Sequence, residues 1–333
     1  MTGMSVRVLD AATGTVTSTD VDAIPVALGT EGTWVWVDVA EPDESTATLL
    51  REVFCVHPKA AADGLARNHI ARLHHYGDIL YLALHRPEPG DSGHVHYLEL
   101  DLYLGPSFLV TLHGPRNPVV PVASMVRETA DVAARLDAGR LRPDGPVALL
   151  YALVSALTNV QERLVNEFAQ QVGTLEQRVM AQADDDHPQE FLDELFTTRH
   201  TLLTVRTMAS QGAEVLARAA TLTARSEAAD PRLLEDLRDQ YQRLATITRS
   251  QLEFLEGVTD FYRARTETRM LIAAERLAVI AAITLPVAAL SGVLGMNLIV
   301  NDATKWPLLI AVVAVMTGLS LYLLRWARRQ GWW

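Results

Sequence analysis

The residues with the most distinctive chemistry are three neighbours near the C-terminus, Gly295, Met296 and Asn297. The Asn297 carboxamide carries a neutral carbonyl oxygen that accepts hydrogen bonds, whereas the thioether of Met296 is a poor ligand for a hard cation. Gly295 lets the chain turn sharply and lets backbones approach closely. The simplest interpretation of Asn297 on its own is the C-cap of a helix. What surrounds the triplet decides whether it has a further role.

Two uncharged apolar segments, residues 277–294 and 306–324, lie on either side of this triplet. Each is close to the length that spans a bilayer as a helix. The polar segment between them is too short to form a domain, so we predict a transmembrane hairpin with residues 295–297 in its loop. Basic residues flank the hairpin on both sides, which predicts that both termini are cytoplasmic. These residues are Arg263, Arg265, Arg269 and Arg276 before the hairpin, and Arg325, Arg328 and Arg329 after it.

The composition limits the cellular compartments and the binding partners that we expect for this protein. The chain of 333 residues has a formal net charge of −11, which argues against nucleic acid because nucleic-acid binding requires clustered Lys and Arg. An acidic surface suits a protein that handles cations, and equally an ordinary soluble surface. Cys55 is the only cysteine, so no intrachain disulfide can form, as in reducing compartments. No secretion signal is visible, so we expect a multi-pass protein of the inner or plasma membrane.

Residues 1–145 have the pattern of a cytoplasmic α+β domain. A helix is predicted to begin after Pro42, where Asp43 and Glu44 precede an apolar run. The predicted strands are residues 34–39, 79–84, 97–104 and 108–112. Residues 97–104 alternate apolar and polar side chains, which is typical of a half-buried strand. We expect one sheet covered by helices.

Residues 146–270 have a different pattern, with apolar residues recurring at steps of three or four. This spacing predicts long helices with one apolar stripe each. The first runs from about residue 150 to 179, and residues 184–188 interrupt the pattern. A second helix is predicted from the apolar residues between Leu192 and Met208. A third helix begins near Pro231 and continues without a break into the first apolar segment. We therefore predict a helical stalk continuous with the membrane domain of residues 271–333, and its uncovered apolar surface predicts self-association.

These residues together resemble the CorA-type family of divalent metal ion transporters, which have two spans. The defining feature is Gly-Met-Asn between two C-terminal spans, nine residues after Pro286. The resemblance covers nearly the whole chain and extends to residues 36–38, 42–44, 57–58, 63, 76–78, 108–111, 149–152, 175–176 and 238–241, and to the basic tail. It implies a homopentameric funnel of cytoplasmic α+β domains and stalk helices, with five first spans around one central pore.

The resemblance also implies a selectivity site at Gly295, Met296 and Asn297. Mg²⁺ dehydrates reluctantly and usually keeps several waters, so a ring of Asn297 carboxamides would contact the hydrated ion through its water. By position from Pro286, the pore-lining residues are Leu271, Ala274, Leu277, Leu285 and Ala288. The family usually has Asn where Leu271 stands and Met where Ala274 stands. The pore would therefore be almost wholly apolar below Asn297, and Leu271, Leu277 and Leu285 are the expected gate, closing by dewetting; alternatively, some of these side chains face neighbouring helices.

Family channels are closed by intracellular Mg²⁺ bound at acidic subunit interfaces. The residues that could bind it here are Asp236 and Asp239 on the stalk, and Glu88 and Asp91 in a loop of the N-terminal domain; each could equally be a solvated acid. Ser155 and Asn159 stand where the family often has acids. Arg325, Arg328 and Arg329 would form a basic ring near the inner mouth of the pore, or simply anchor the topology.

The leading hypothesis is a channel for Mg²⁺, with Co²⁺ or Ni²⁺ as further ions, and no cofactor other than the transported and regulatory ion. The alternative within the superfamily is Zn²⁺ transport, with or without proton coupling, although that branch more often has Val where Met296 stands. An alternative from another class is a non-conducting, membrane-anchored metal sensor. We predict no enzyme, since no nucleophile–base set or phosphate loop is visible. Histidines 74, 75, 85, 94, 96 and 113 match no closed zinc site and are interpreted as exposed loop residues.

Overall fold

The computed structural model describes residues 3–90, 94–181, 188–224, 231–295 and 306–329. The chain forms two compact units, residues 1–256 and 257–333. The first unit contains the sheet and most of the helices. The second contains the C-terminal part of one long helix and the last helix. Each unit is described by itself below.

The first unit is built on one seven-stranded sheet with the strand order β2-β1-β3-β7-β6-β5-β4. The strands are β1 Met4–Asp10, β2 Val16–Thr19, β3 Thr33–Val39, β4 Arg72–Tyr76, β5 Ile79–Pro89, β6 Val95–Leu104 and β7 Phe108–Leu112. The pair β3 and β7 is parallel, and the other neighbours are antiparallel. Gly77 and Asp78 form the hairpin turn between β4 and β5. Gly77 has φ 61°, a conformation that glycine adopts without a steric penalty.

Short helices lie between the strands or directly after the last one, and long helices follow. The short ones are α1 Ile24–Leu28, which follows a 3₁₀ turn at Val21–Ala23, then α2 Glu44–Glu52, α3 Pro58–Asp63, α4 Val122–Met125 and α5 Arg127–Asp137. The long ones are α6 Pro146–Ala181, α7 Pro188–Thr223, α8 Pro231–Gly295 and α9 Trp306–Arg329. The predicted helix start after Pro42 is α2. The Asp43 carboxylate accepts a hydrogen bond from the Thr46 backbone N–H, and the Thr46 hydroxyl accepts one from the Asp43 backbone N–H. This capping box satisfies two backbone N–H groups that the first turn leaves free.

The sheet is buried on both faces, which makes three layers. On β3 the side chains alternate: Val35 and Val37 pack with the short helices α1–α3, whereas Trp34 and Trp36 pack with α5, α6, α7 and the first part of α8. This alternation follows from the two-residue period of a strand. The larger core therefore joins the sheet to the long helices in one compact unit. The boundary that we predicted at residue 145 lies inside this unit, between the sheet with its short helices and the long helices. That boundary, like the one at residue 270, stays a proposal.

The long helices of the first unit cross closely where glycine leaves room for an aromatic ring. Gly212 on α7 lies against the ring of Tyr241 on α8, and a Cβ added at Gly212 would overlap that ring. Tyr241 is almost fully buried, and burial raises the pKa of its phenol. A glycine inside a helix costs about 1 kcal/mol relative to alanine. Its presence here is explained by the close approach of the ring.

The second unit contains the two predicted spans. Helices α8 and α9 are, among the described residues, the two helices long and apolar enough to cross a membrane, with mean hydropathies of 1.9 and 1.7 in their most apolar windows. Helix α8 is uninterrupted from Pro231 to Gly295 and includes Pro286, as the sequence predicts. Helix α9 extends past the predicted span, to Arg329. Gly295 is the last residue of α8, and Met296 and Asn297 lie outside the described residues.

Candidate functional site

The predicted pore-lining residues share one face of α8 in the second unit. At about 100° per residue, Leu271, Ala274, Leu277, Leu285 and Ala288 fall within roughly a third of the helix circumference. We call this arc the outer face of α8. All five side chains are exposed in the single chain, and the three leucines are 67–70% exposed. Large apolar side chains that are this exposed require lipid or further copies of the chain to cover them.

The opposite side of the helix packs on α9. Leu290 of α8 lines a cavity of about 180 Å³ together with four residues of α9: Ala311, Val312, Val315 and Met316. Val279, which lies on the same side of the helix as Leu290, is buried. The outer face is therefore the side of α8 that α9 leaves uncovered. This arrangement is compatible with a central pore formed by copies of α8, with α9 outside.

Asp236, one of the two regulatory residues predicted on the stalk, lies in a cleft between α6 and α8 within the first unit. The cleft has a volume of about 830 Å³, and Asp236 lines it together with Ser155 and Asn159. The Asp236 carboxylate accepts hydrogen bonds from the Tyr151 hydroxyl (2.8 Å) and the Gln240 amide (2.8 Å). The bond to Asp236 raises the pKa of Tyr151. Asp236 is thus already held by two partners from its own chain.

The other predicted regulatory acids either pair with arginines of the same chain or lie outside the described residues. Asp239 is exposed and pairs with its neighbour Arg238 at 2.8 Å. Glu88 lies in strand β5 rather than in a loop, where it pairs with the buried Arg86 and with Arg127. Asp91 lies outside the described residues. Within the described ranges, no three His, Cys, Asp or Glu side chains are arranged to hold a metal ion.

The interpretation of the histidines as exposed loop residues is correct only for His94. His74 and His75 lie in β4, His96 lies in β6, and the remaining two are buried. His85 lies in β5 and is buried, with Nε2 at 2.8 Å from the Asn68 carbonyl oxygen; burial lowers its pKa. His113 follows β7 and is also buried, with Nε2 at 3.0 Å from Asp38 Oδ1. Burial alone would raise the pKa of Asp38, but the His113 charge and the hydrogen bonds hold it below its usual value. Both histidines therefore connect elements of the core.

Two buried acids on β6 were not expected from the sequence. The alternation in residues 97–104 predicts that Glu99 and Asp101 face solvent, yet they are 7% and 0% exposed because both faces of the sheet are covered. The Tyr81 hydroxyl donates to Asp101 at 2.7 Å, and Asn68 donates two hydrogen bonds to Glu99. Burial raises the pKa of both carboxyl groups, and the Glu99 charge raises that of Asp101 further. One oxygen of Asp101 and one of Asp63 are buried and have no hydrogen-bond partner.

Replacing Asp101 by asparagine is expected to stabilise the first unit at alkaline pH. Because the pKa of Asp101 is raised in the folded state, the unfolded chain releases its proton at a lower pH, and stability falls as pH rises through the raised pKa. D101N keeps an acceptor for Tyr81 and removes the ionisation. We expect a gain of at least about 1 kcal/mol at pH 8, the equivalent of roughly one pKa unit.

The measurement is the thermal unfolding midpoint of the full-length protein in detergent between pH 5 and 9. The control is D131N, which neutralises an exposed acid on α5. The expected result is a smaller decrease of the midpoint with pH in D101N than in the wild type or in D131N. An identical pH dependence in all three proteins would contradict a raised pKa of Asp101 in the folded state.

Comparison with known proteins places the chain in a family. Residues 31–329 match the family described as CorA-like Mg²⁺ transporter protein. A putative metal ion transporter, YfjQ of Bacillus subtilis (strain 168), is 24% identical over 306 residues, which cover 90% of each chain.

Two solved structures share the fold. The complete CorA magnesium transporter from Methanocaldococcus jannaschii has a TM-score of 0.78 at 17% identity, covering 100% of this chain and 99% of that one. The ZntB cytoplasmic domain from Vibrio parahaemolyticus has a TM-score of 0.58 at 12% identity, covering 80% and 99%. Since the family match extends over nearly the whole length, both apolar helices included, the chain belongs to the CorA-like Mg²⁺ transporter family.

Proposed function

We propose that five copies of this chain form a channel that passes Mg²⁺ into the cytoplasm through a ring of Asn297 carboxamides. One observation supports this most strongly: the outer face of α8 is exposed, apolar and turned away from α9, on a helix that ends at Gly295. Five such faces around an axis would make a pore that opens directly into the Gly-Met-Asn triplet. The similarity to a structure of a magnesium transporter supports the same ion.

In this proposal the ion crosses the Asn297 ring with its water retained. A neutral carboxamide oxygen accepts hydrogen bonds from the water of the ion, and it has no fixed charge that would trap a divalent cation. Below the ring, the five pore-lining residues from Leu271 to Ala288 all have apolar side chains. An apolar constriction conducts only when it is wetted. Leu271, Leu277 and Leu285 are the side chains that would close the pore by dewetting.

The orientation and the regulation belong to the same proposal. Both termini would lie in the cytoplasm, with Arg325, Arg328 and Arg329 at the end of α9 near the inner mouth. Intracellular Mg²⁺ would close the channel by binding between subunits at acids such as Asp236 and Asp239. The hydrogen bonds that Asp236 already accepts, and the neutral Ser155 and Asn159 in the same cleft, favour weak regulatory binding there.

Zinc transport is the alternative that a specific observation supports, because the first unit also has the fold of the ZntB cytoplasmic domain. Met296, where the zinc branch more often has Val, favours magnesium. The fold of the first unit does not distinguish the two ions, since the proposed selectivity site lies at the other end of α8.

Ion flux into proteoliposomes tests the proposal. Vesicles with purified full-length protein would be loaded with a Mg²⁺-sensitive or a Zn²⁺-sensitive dye, and flux would be compared with and without a pH gradient. We expect Mg²⁺ flux that depends on the cation gradient and not on pH. Zn²⁺ flux driven by protons would instead establish the zinc alternative, and no flux of either ion from assembled protein would favour the sensor alternative.

A further inference from the structure

The outer face of α8 does not end at Leu271. At about 100° per residue, Glu267 lies roughly 40° from Leu271 around the helix axis, inside the same arc and one turn closer to the N-terminus. Its side chain is exposed. The helix is continuous through this point, so the relation between Glu267 and the pore-lining residues is set by the helix geometry alone.

We propose that Glu267 determines cation passage in this channel, as the first charged group that an ion meets at the inner end of the apolar pore. The inference rests on the proposed pentameric pore. Five Glu267 carboxylates would form a ring one turn below Leu271, at the position where the apolar pore lining gives way to polar residues. Carboxylate oxygens are the ligands that Mg²⁺ prefers in proteins, directly or through retained water.

The other charged residues near this end of the pore do not take the same position. Arg265, Arg269, Glu275 and Arg276 fall outside the arc of the outer face when placed at about 100° per residue. Asp260 and Arg263 fall inside it, but they pair with each other at 4.0 Å, so their charges largely cancel. In the part of the second unit that the structure describes, Glu267 forms no ion pair. It is therefore the uncompensated negative charge on this face.

The apolar length of the pore explains why such a charge is needed. From Leu271 to Ala288 the outer face rises about 25 Å along the helix, and Leu271 replaces the Asn that the family usually places in this stretch. A divalent cation in an apolar passage of this length loses favourable electrostatic interactions that nothing in the passage replaces. A ring of carboxylates at its inner end lowers the energy of the ion there. Such a ring raises the local cation concentration roughly tenfold or more at low salt.

The test compares Mg²⁺ flux through reconstituted wild type, E267Q, E267D and E275Q. E267Q keeps the size of the side chain and removes only the charge, whereas E267D keeps the charge. E275Q is the matched control, since Glu275 is an exposed acid on the same helix but outside the outer face. We expect roughly tenfold lower flux in E267Q at low ionic strength, flux within about twofold of the wild type in E267D and E275Q, and a smaller deficit of E267Q at high salt.

The outcomes separate this inference from the proposal on which it rests. Wild-type flux with an unchanged E267Q would overturn the inference and leave the channel intact. Equal losses in E267Q and E275Q would also overturn it, because they would show a general effect of surface charge. Absence of flux from the wild type itself would overturn the proposed function, and this inference with it. Size-exclusion chromatography of each variant would check assembly, which we expect to be unchanged because the side chain is exposed.

Discussion

Replacing Asn297 by alanine is expected to abolish Mg²⁺ flux while the assembly still forms. The five carboxamides of the proposed ring are the groups that would hold the hydrated ion at the outer end of α8. If each contributes at least about 0.5 kcal/mol through hydrogen bonds to the water of the ion, their joint loss exceeds about 2.5 kcal/mol, or roughly a hundredfold in ion occupancy. The measurement is the proteoliposome flux assay, with assembly checked by size-exclusion chromatography.

The chain offers a matched control for this prediction in Asn301, a second asparagine in the same interhelical segment. N301A removes an identical side chain four residues further on, so it should leave flux close to the wild-type value if the position in the triplet matters. Retained Mg²⁺ flux in N297A would remove the central claim of the proposed mechanism. Loss of flux in both variants would show that the segment as a whole is sensitive, which would remove the special role of Asn297.

The features that the sequence predicts well are those set within one helix or strand. The uninterrupted apolar spacing predicts that α8 continues through the first span, and the structure confirms one helix from Pro231 to Gly295. The predicted membrane-spanning segments and the α+β sheet domain are likewise present. Family membership confirms that the chain is a transporter rather than an enzyme, and a membrane protein that carries divalent metal ions. That Leu271 and Leu285 lie on the same face of α8 can be predicted from their spacing in the sequence alone.

The features that the sequence does not predict depend on contacts between distant residues. Glu99 and Asp101 look like the solvent side of a half-buried strand, because alternation cannot show that helices cover both faces of the sheet. Strands β2 and β4 are not predicted because they are short strands at the two edges of the sheet and have little local signal. Strand β1 is not predicted because it is specified by its pairing with β2 and β3. The proposed role of the regulatory acids depends on a second subunit, and the sequence of one chain does not show which residues of that subunit they would meet.

Replacing Arg86 by leucine is expected to destabilise the first unit by about 3–5 kcal/mol, the usual cost of removing one partner of a buried ion pair. Arg86 is 2% exposed; it pairs with Glu88 and, at 3.2 Å, with Glu128 on α5, and it donates to the Ser124 carbonyl oxygen at 2.8 Å. These contacts fasten α4 and α5 to the sheet. Burial already raises the pKa of Glu128, and the Arg86 charge opposes this rise. Without Arg86, the native Glu128 binds its proton at higher pH, so the loss of stability should grow from pH 5 to pH 8.

Two variants separate this buried ion pair from ordinary surface charge. In R86L/E128L neither charge remains unpaired in the core, so much of the stability lost in R86L should return, and its additional pH dependence should disappear. R51L removes an exposed arginine that pairs with Glu44 at 3.2 Å and should cost no more than about 1 kcal/mol. The measurement is thermal unfolding of the four full-length proteins at pH 5 and 8. Equal destabilisation in R86L and R51L, or no recovery in the double variant, would show that the buried charges of Arg86 and Glu128 do not depend on one another.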